Sequence, residues 1–165
     1  MKNRNRIVGG GSACWLLCFA QFAVAQDPAA ALAVRSIAEV ESRSVQAGKT
    51  LVKLVPADRL VPGDRVIYTL EVRNTGASAI EAPVISHAVP EHVRYVADSA
   101  LGPAAEVSYS VDGGKSFERA ENLKVTTPEG QRPALAAEYT DIRWQLKNPL
   151  KPNSVAFVRF RALVK

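Results

Sequence analysis

A chain of 165 residues that is 47% hydrophobic and 22% charged is too apolar for a disordered polymer and fits one globular domain. Its formal charge of +5 overstates the folded part: Lys2, Arg4 and Arg6 lie in a segment expected to be removed, and taking these three from 21 basic residues leaves 18 against 16 acidic ones, or +2. That balance excludes the strong basic bias that nucleic-acid binding needs.

Residues 1–25 read as a secretory signal peptide. The basic start Lys2-Asn3-Arg4-Asn5-Arg6 precedes an apolar stretch that includes Cys14-Trp15-Leu16-Leu17-Cys18-Phe19-Ala20, and Ala23-Val24-Ala25 supplies the small-x-small pattern of a cleavage site. Cleavage between Ala25 and Gln26 leaves 165 − 25 = 140 residues and no transmembrane span. A retained anchor is the alternative, but Gly9-Gly10-Gly11-Ser12 and Gln21 interrupt the roughly 20 apolar residues that a spanning helix requires. Both cysteines, Cys14 and Cys18, fall in the leader, and neither has the apolar residue three positions earlier that a lipoprotein site favours. The mature chain therefore has no thiol for a disulfide, for catalysis or for a metal.

Residues 26–33 read as a flexible lead-in, and 34–165 as a single domain. Ala29–Ala38 is alanine-rich and compatible with either helix or strand. Runs at 34–43 and 49–56 are expected to pair across Gln46-Ala47-Gly48. Pro62-Gly63-Asp64 opens the clearest strand, 65–73, in which Val66, Tyr68, Leu70 and Val72 alternate with Arg65, Ile67, Thr69, Glu71 and Arg73; Asn74-Thr75-Gly76 closes it. A strand at 79–88 carries Pro83, which favours an edge or a bulge. Shorter alternating runs follow at 93–97, 107–111 and 142–147. The segment 120–138, with Pro128, Gly130 and Pro133, reads as a long surface connection. The last run, 155–164, sets Ala156, Val158, Phe160, Ala162 and Val164 against Arg159 and Arg161. About eight short strands broken by turn residues predict an all-β antiparallel sandwich or barrel. A membrane barrel is disfavoured, because aromatics are only 7% and arginines occupy strand faces.

The run from Pro62-Gly63-Asp64 through Tyr68-Thr69 to Asn74-Thr75-Gly76 resembles the signature of the bacterial conserved-repeat domain of unknown function, type eleven. Val89-Pro90-Glu91 leading into Tyr95-Val96 resembles that family's next landmark. Pro152-Asn153-Ser154 is similar to the Pro-Gly-x turn before its final strand, with Asn in place of Gly at a position that tolerates left-handed geometry. The resemblance covers about residues 50–165. It implies an immunoglobulin-like antiparallel β-sandwich of about 7–9 strands, found on bacterial surfaces and in the envelope, with no agreed activity and no catalytic residues. Members often stand in tandem, whereas this chain has one copy. Related domains also occur in cysteine-rich envelope proteins, a pattern from which a cysteine-free mature chain departs.

Ser110-Val111-Asp112-Gly113-Gly114-Lys115-Ser116-Phe117 fits the Asp-box pattern, Ser-x-Asp-x-Gly-x-x-aromatic. Its chemistry is that of a hairpin turn: Asp112 bonds amides, and Gly113 and Gly114 accept positive φ. A carbohydrate contact through this hairpin, with Tyr109 and Phe117 as an aromatic platform, is the competing reading. His87 and His92, even with Glu81 or Glu91, fall short of the converging ligand set a metal needs. No Gly-x-Ser-x-Gly elbow, phosphate loop or dinucleotide fingerprint occurs. Arg65, Arg73, Arg143, Arg159, Arg161 and Lys147 are expected opposite the core, where near-balanced charge favours a solvated outer face with scattered acids such as Glu71; the competing reading makes Arg143, Arg159 and Arg161 a basic contact face for anionic envelope polymers or lipid headgroups. The expectation is a non-enzymatic exported protein without cofactor, in the periplasm, at the outer membrane or outside the cell, whose partner is an envelope protein or anionic polymer.

Overall fold

The computed structural model describes residues 31–46 and 48–165. The leader, the Ala25–Gln26 cleavage point and residues 26–30 of the lead-in lie outside them. Ten strands follow in order: β1 (Leu32–Gln46), β2 (Lys49–Pro56), β3 (Arg65–Asn74), β4 (Val84–Ala88), β5 (Val93–Tyr95), β6 (Ala105–Ser110), β7 (Lys124–Thr127), β8 (Gly130–Pro133), β9 (Asp141–Leu146) and β10 (Val155–Val164). A single 3-10 turn, Ala136–Glu138, precedes β9. One sheet has the order β2-β1-β3-β10-β5 and the other β4-β9-β6, and β7 pairs only with β8. Every pairing is antiparallel. The sandwich itself thus has eight strands, and the separate hairpin brings the total to ten.

Alternation builds the core as the sequence predicts. Val66, Tyr68, Leu70 and Val72 of β3 are buried beside Ala156, Val158, Phe160, Ala162 and Val164 of β10, and Ile142, Trp144 and Leu146 of β9 face them from the second sheet. Phe160 stacks on Tyr68 with ring centroids 4.9 Å apart, and the Trp144 ring lies 6.2 Å away. Each such side chain contributes about 1.5–3 kcal/mol by leaving water. Gly102 lets its loop approach this interface: a Cβ there would lie 2.9 Å from Val158 Cγ1. One cost is visible, since Trp144 Nε1 is buried with no hydrogen-bond partner among the described residues.

Several boundaries differ from expectation. The alanine-rich ambiguity resolves to strand, because Leu32–Val40 pairs along β3 and sets Ala38 opposite Tyr68. The run 79–88 shortens to β4, with a separate bridge from Ile80 to Leu150. Pro83 is buried just before β4, where its carbonyl accepts Leu146 N–H at 2.9 Å and its missing N–H is not needed. The segment 120–138 contains a hairpin rather than an irregular connection: Pro128 and Glu129 form its turn, and Gly130, at φ +124°, opens β8 opposite Thr127.

β1 outruns β3. Its pairing with β3 ends at Val40, while its pairing with β2 spans Glu39–Gln46. Beyond Val40 the two strands form a projecting ribbon, with Val45, Leu51, Val52 and Leu54 between 41% and 73% exposed.

The alternation along β10 has a direct test in urea denaturation. Phe160→Ala should lose about 3–5 kcal/mol of stability. Phe157→Ala, three residues earlier on the outward row and 54% exposed, should change it by less than about 0.5 kcal/mol.

Candidate functional site

The motif residues lie in turns whose hydrogen-bonding capacity is used internally. At the start of β3, Asp64 Oδ2 accepts the Val61 N–H at 2.9 Å. Gly63, at φ +93°, donates its N–H to Val164 O at 3.1 Å, and Pro62 and Val61 stay exposed. At the other end Asn74 is fully buried. Its Nδ2 donates to Ser78 O and Leu150 O, both at 2.8 Å, and its Oδ1 accepts the Gly76 N–H at 2.8 Å. Gly76 has no room for a side chain, because a Cβ would meet Ala31 Cβ at 2.9 Å. Asn153 takes φ +59° and donates its N–H to Asn74 O at 2.9 Å, the left-handed geometry expected of it.

The Asp-box segment is the same solution in a tighter form. Tyr109 and Glu118 exchange backbone bonds of 2.8 and 3.0 Å and close the hairpin. Within it Asp112 Oδ1 accepts from Ser110 Oγ at 2.7 Å and from the Lys115 and Ser116 amides at 3.0 Å each, and Oδ2 accepts from Ser116 Oγ at 2.6 Å. The Ser110 hydroxyl, with help from Ser116, holds the Asp112 carboxyl well below the usual carboxylate range. Gly113 and Gly114 adopt φ of +73° and +78°. The Gly113 N–H donates to Thr140 Oγ1 at 3.0 Å, and that of Gly114 to Ser110 Oγ at 3.0 Å.

The aromatic platform does not form. Tyr109 is buried, 3.0 Å from Tyr95 through their hydroxyls. Tyr95 Oη also accepts the Ser99 and Ala100 amides at 3.2 and 3.1 Å. Burial, then the bond to Tyr95, pushes the Tyr109 hydroxyl far up, and burial also raises Tyr139. Neither ionises at neutral pH. One face of Phe117 is covered by the Arg143 guanidinium, 3.6 Å from the ring centroid.

A cleft of about 730 Å³ opens at this end of the sandwich, between Ala88–Pro90, Gly113 and Tyr139–Asp141. Its acid Glu138 is gripped by Arg132 through bonds of 2.8 and 2.6 Å and accepts the Leu135 N–H at 2.8 Å. That pair holds its carboxyl down to about 2. Lys165 Nζ donates to Glu91 O at 2.6 Å on the rim. His87 packs its ring 5.7 Å from that of Phe160 and 6.2 Å from that of Tyr68, while His92 is exposed and its carbonyl accepts the Lys165 N–H. Among the described residues no three His, Asp or Glu converge as metal ligands.

The basic trio is split. Arg159 and Arg161 stand on the outward row of β10, in the five-stranded sheet, whereas Arg143 stands on the outward row of β9, in the three-stranded one. Their faces point to opposite sides of the sandwich, so the expected common stripe is corrected. Local pattern shows that a residue faces away from the core but not which layer carries it. Arg143 is engaged where it stands, on Phe117 and with its Nε 3.3 Å from Ser86 Oγ. Lys147 pairs with Glu106 at 3.1 Å. Arg159 and Arg161 make no ion pair among the described residues, and they share their face with Arg35, Arg65, Arg73 and Arg94. Arg35 and Arg94 were not among the basic residues singled out from the sequence, although the alternation of 93–97 already set Arg94 on the opposite face from Val93 and Tyr95.

Comparisons with protein-family models, with curated proteins and with solved structures found no match.

Two measurements test the turns. Asn74→Ala strands two buried carbonyls and an amide and should cost about 2–4 kcal/mol. Because the folded carboxyl of Glu138 titrates at about 2, below its ordinary value, its contribution is complete above that ordinary value and fades as pH falls toward 2. The difference in urea midpoint between the wild type and Glu138→Gln should therefore be constant at neutral pH and close on acidification.

Proposed function

We propose that this chain is a non-enzymatic, exported module of the bacterial envelope that acts by contact, as an immunoglobulin-like domain of the conserved-repeat type. The β1–β2 ribbon carries the reading. β2 is an eight-residue edge strand with all but Val55 exposed, and its outer edge has no neighbour among the described strands. A two-stranded ribbon is marginal in water on its own. An exposed, apolar strand edge is also the kind of surface to which a partner adds a strand. The motifs that resemble sites elsewhere are consumed as turns here, which leaves surfaces as the means of action.

Export is tested by fractionation and N-terminal sequencing of the processed protein, with Gln26 expected as the first residue. An intact Met1 terminus on cytoplasmic protein would end the export half of the reading. Contact through the ribbon is tested by placing a photo-crosslinker at Val52. Discrete adducts in the envelope fraction are expected, and they should disappear in a Leu54→Pro background, where an N–H on the free edge is lost. Crosslinking that persists unchanged with proline in the strand would rule out strand addition.

A further inference from the structure

The two outward faces of the sandwich differ in how their cations are engaged. On the five-stranded sheet, register places Arg35, Arg65, Arg73, Arg94, Arg159 and Arg161 outward, against Glu39, Glu41 and Glu71. These six positive charges less three negative ones give +3, more than the +2 of the whole chain after residue 25. Arg73 is neutralised in place, its Nη2 3.1 Å from Glu71 Oε1, and Glu41 lies with Arg65 around a shallow hollow. On the three-stranded sheet the cations are engaged: Lys147 and Arg119 both approach Glu106, at 3.1 and 3.8 Å, and Arg143 lies over Phe117.

The arrangement is planar. Arg65 and Arg94 share one cross-strand row on either side of Leu163, about 10 Å apart at two strand spacings. Arg161 and Arg159 occupy the next two rows on β10, each about 7 Å further along. Phe157 and Leu101, 54% and 53% exposed, lie beside Arg159, the first on the adjacent outward position and the second bridged to it. A chain-like polyanion follows a line or a groove, whereas these cations spread over three strands of an open sheet with two apolar side chains among them.

We propose that this face docks on an anionic phospholipid surface, with the arginines on the headgroup phosphates and Phe157 and Leu101 entering the headgroup layer. Charge complementarity selects the partner, since basic side chains at an anionic bilayer and apolar residues at its interface reinforce one another. The inference deepens the envelope reading by naming a partner, yet its test does not depend on export or on the ribbon.

The test is co-sedimentation of the full chain with vesicles of phosphatidylcholine alone or with about 30% phosphatidylglycerol, which brings the surface near the charge of a natural anionic leaflet. The leader is present in every sample, so differences between variants report the face. Binding should favour the anionic vesicles and weaken at high salt. Arg159→Glu with Arg161→Glu should lower the partition coefficient by more than about 25-fold, since each arginine lost near such a surface contributes about fivefold and the new carboxylates add repulsion. Lys115→Glu with Lys124→Glu, an equal charge change off this sheet, should leave it within about twofold on the same reasoning. Phe157→Ala should weaken binding to anionic vesicles with no change in charge. Circular dichroism and urea midpoints confirm that each variant is folded; should the glutamate pair fail to fold, Arg159→Gln with Arg161→Gln takes its place. Equal binding to neutral vesicles, an equal loss in the lysine pair, or arginine-dependent binding to soluble polygalacturonate with none to vesicles would overturn the proposal, the last in favour of a polymer.

Discussion

Phe160 locks the two layers together, and most of the fold follows from where it sits. Within its own sheet it stacks on Tyr68, and across the interface it meets Trp144 and His87. β10 pairs with β3 through nine positions and with β5 through three, so fixing one ring fixes the register of three strands. A slip of one residue would turn Arg159 and Arg161 into the interface and Phe160 into water. Burying unpaired guanidinium groups costs far more than a slipped ladder could return. The alternation of large apolar and charged residues therefore specifies the sheet by penalty as much as by attraction.

A second constraint is the need to tie down loops where the described residues contain no cysteine. Asn74 binds the carbonyls of Ser78 and Leu150 with one amide, joining the end of β3 to the approach to β10. Asp64 and Asp112 do the same locally with carboxylates. Each replaces a backbone partner that a tight turn has removed, and each is effective because an unmet buried polar group is expensive. Such residues draw the eye in a sequence because they are chemically specific. Here the specificity is directed inward.

What the sequence made legible tracks how local the cause is. β3, β9 and β10 were readable because strict alternation has one physical meaning, and the Asp-box turn because its side chains bond their own backbone. The hairpin at 124–133 was not, since its pairing is short and its Pro and Gly also suit a loop. The burial of Tyr109 was missed for a related reason: its inward position was visible, but the neighbouring Tyr95 hydroxyl that makes a buried phenol acceptable comes from the other sheet. Assigning Arg143 and Arg159 to one face failed because strand-to-sheet assignment is set by long-range pairing, which no window of sequence contains.

The choice of arginine on the outer sheet links stability to the charge of that face. Ile67 points outward between Glu39 and Arg161 in one cross-strand row, yet it is only 7% exposed. Its neighbours must cover it, and long side chains do this with their methylene stems while the charged ends remain in water. A guanidinium keeps its planar donors available while the stem lies along the sheet, which a shorter polar residue could not do. The same residues can thus shield an outward isoleucine, forbid a register slip and leave a positive surface, so the charge of the face imposes no extra demand on the fold.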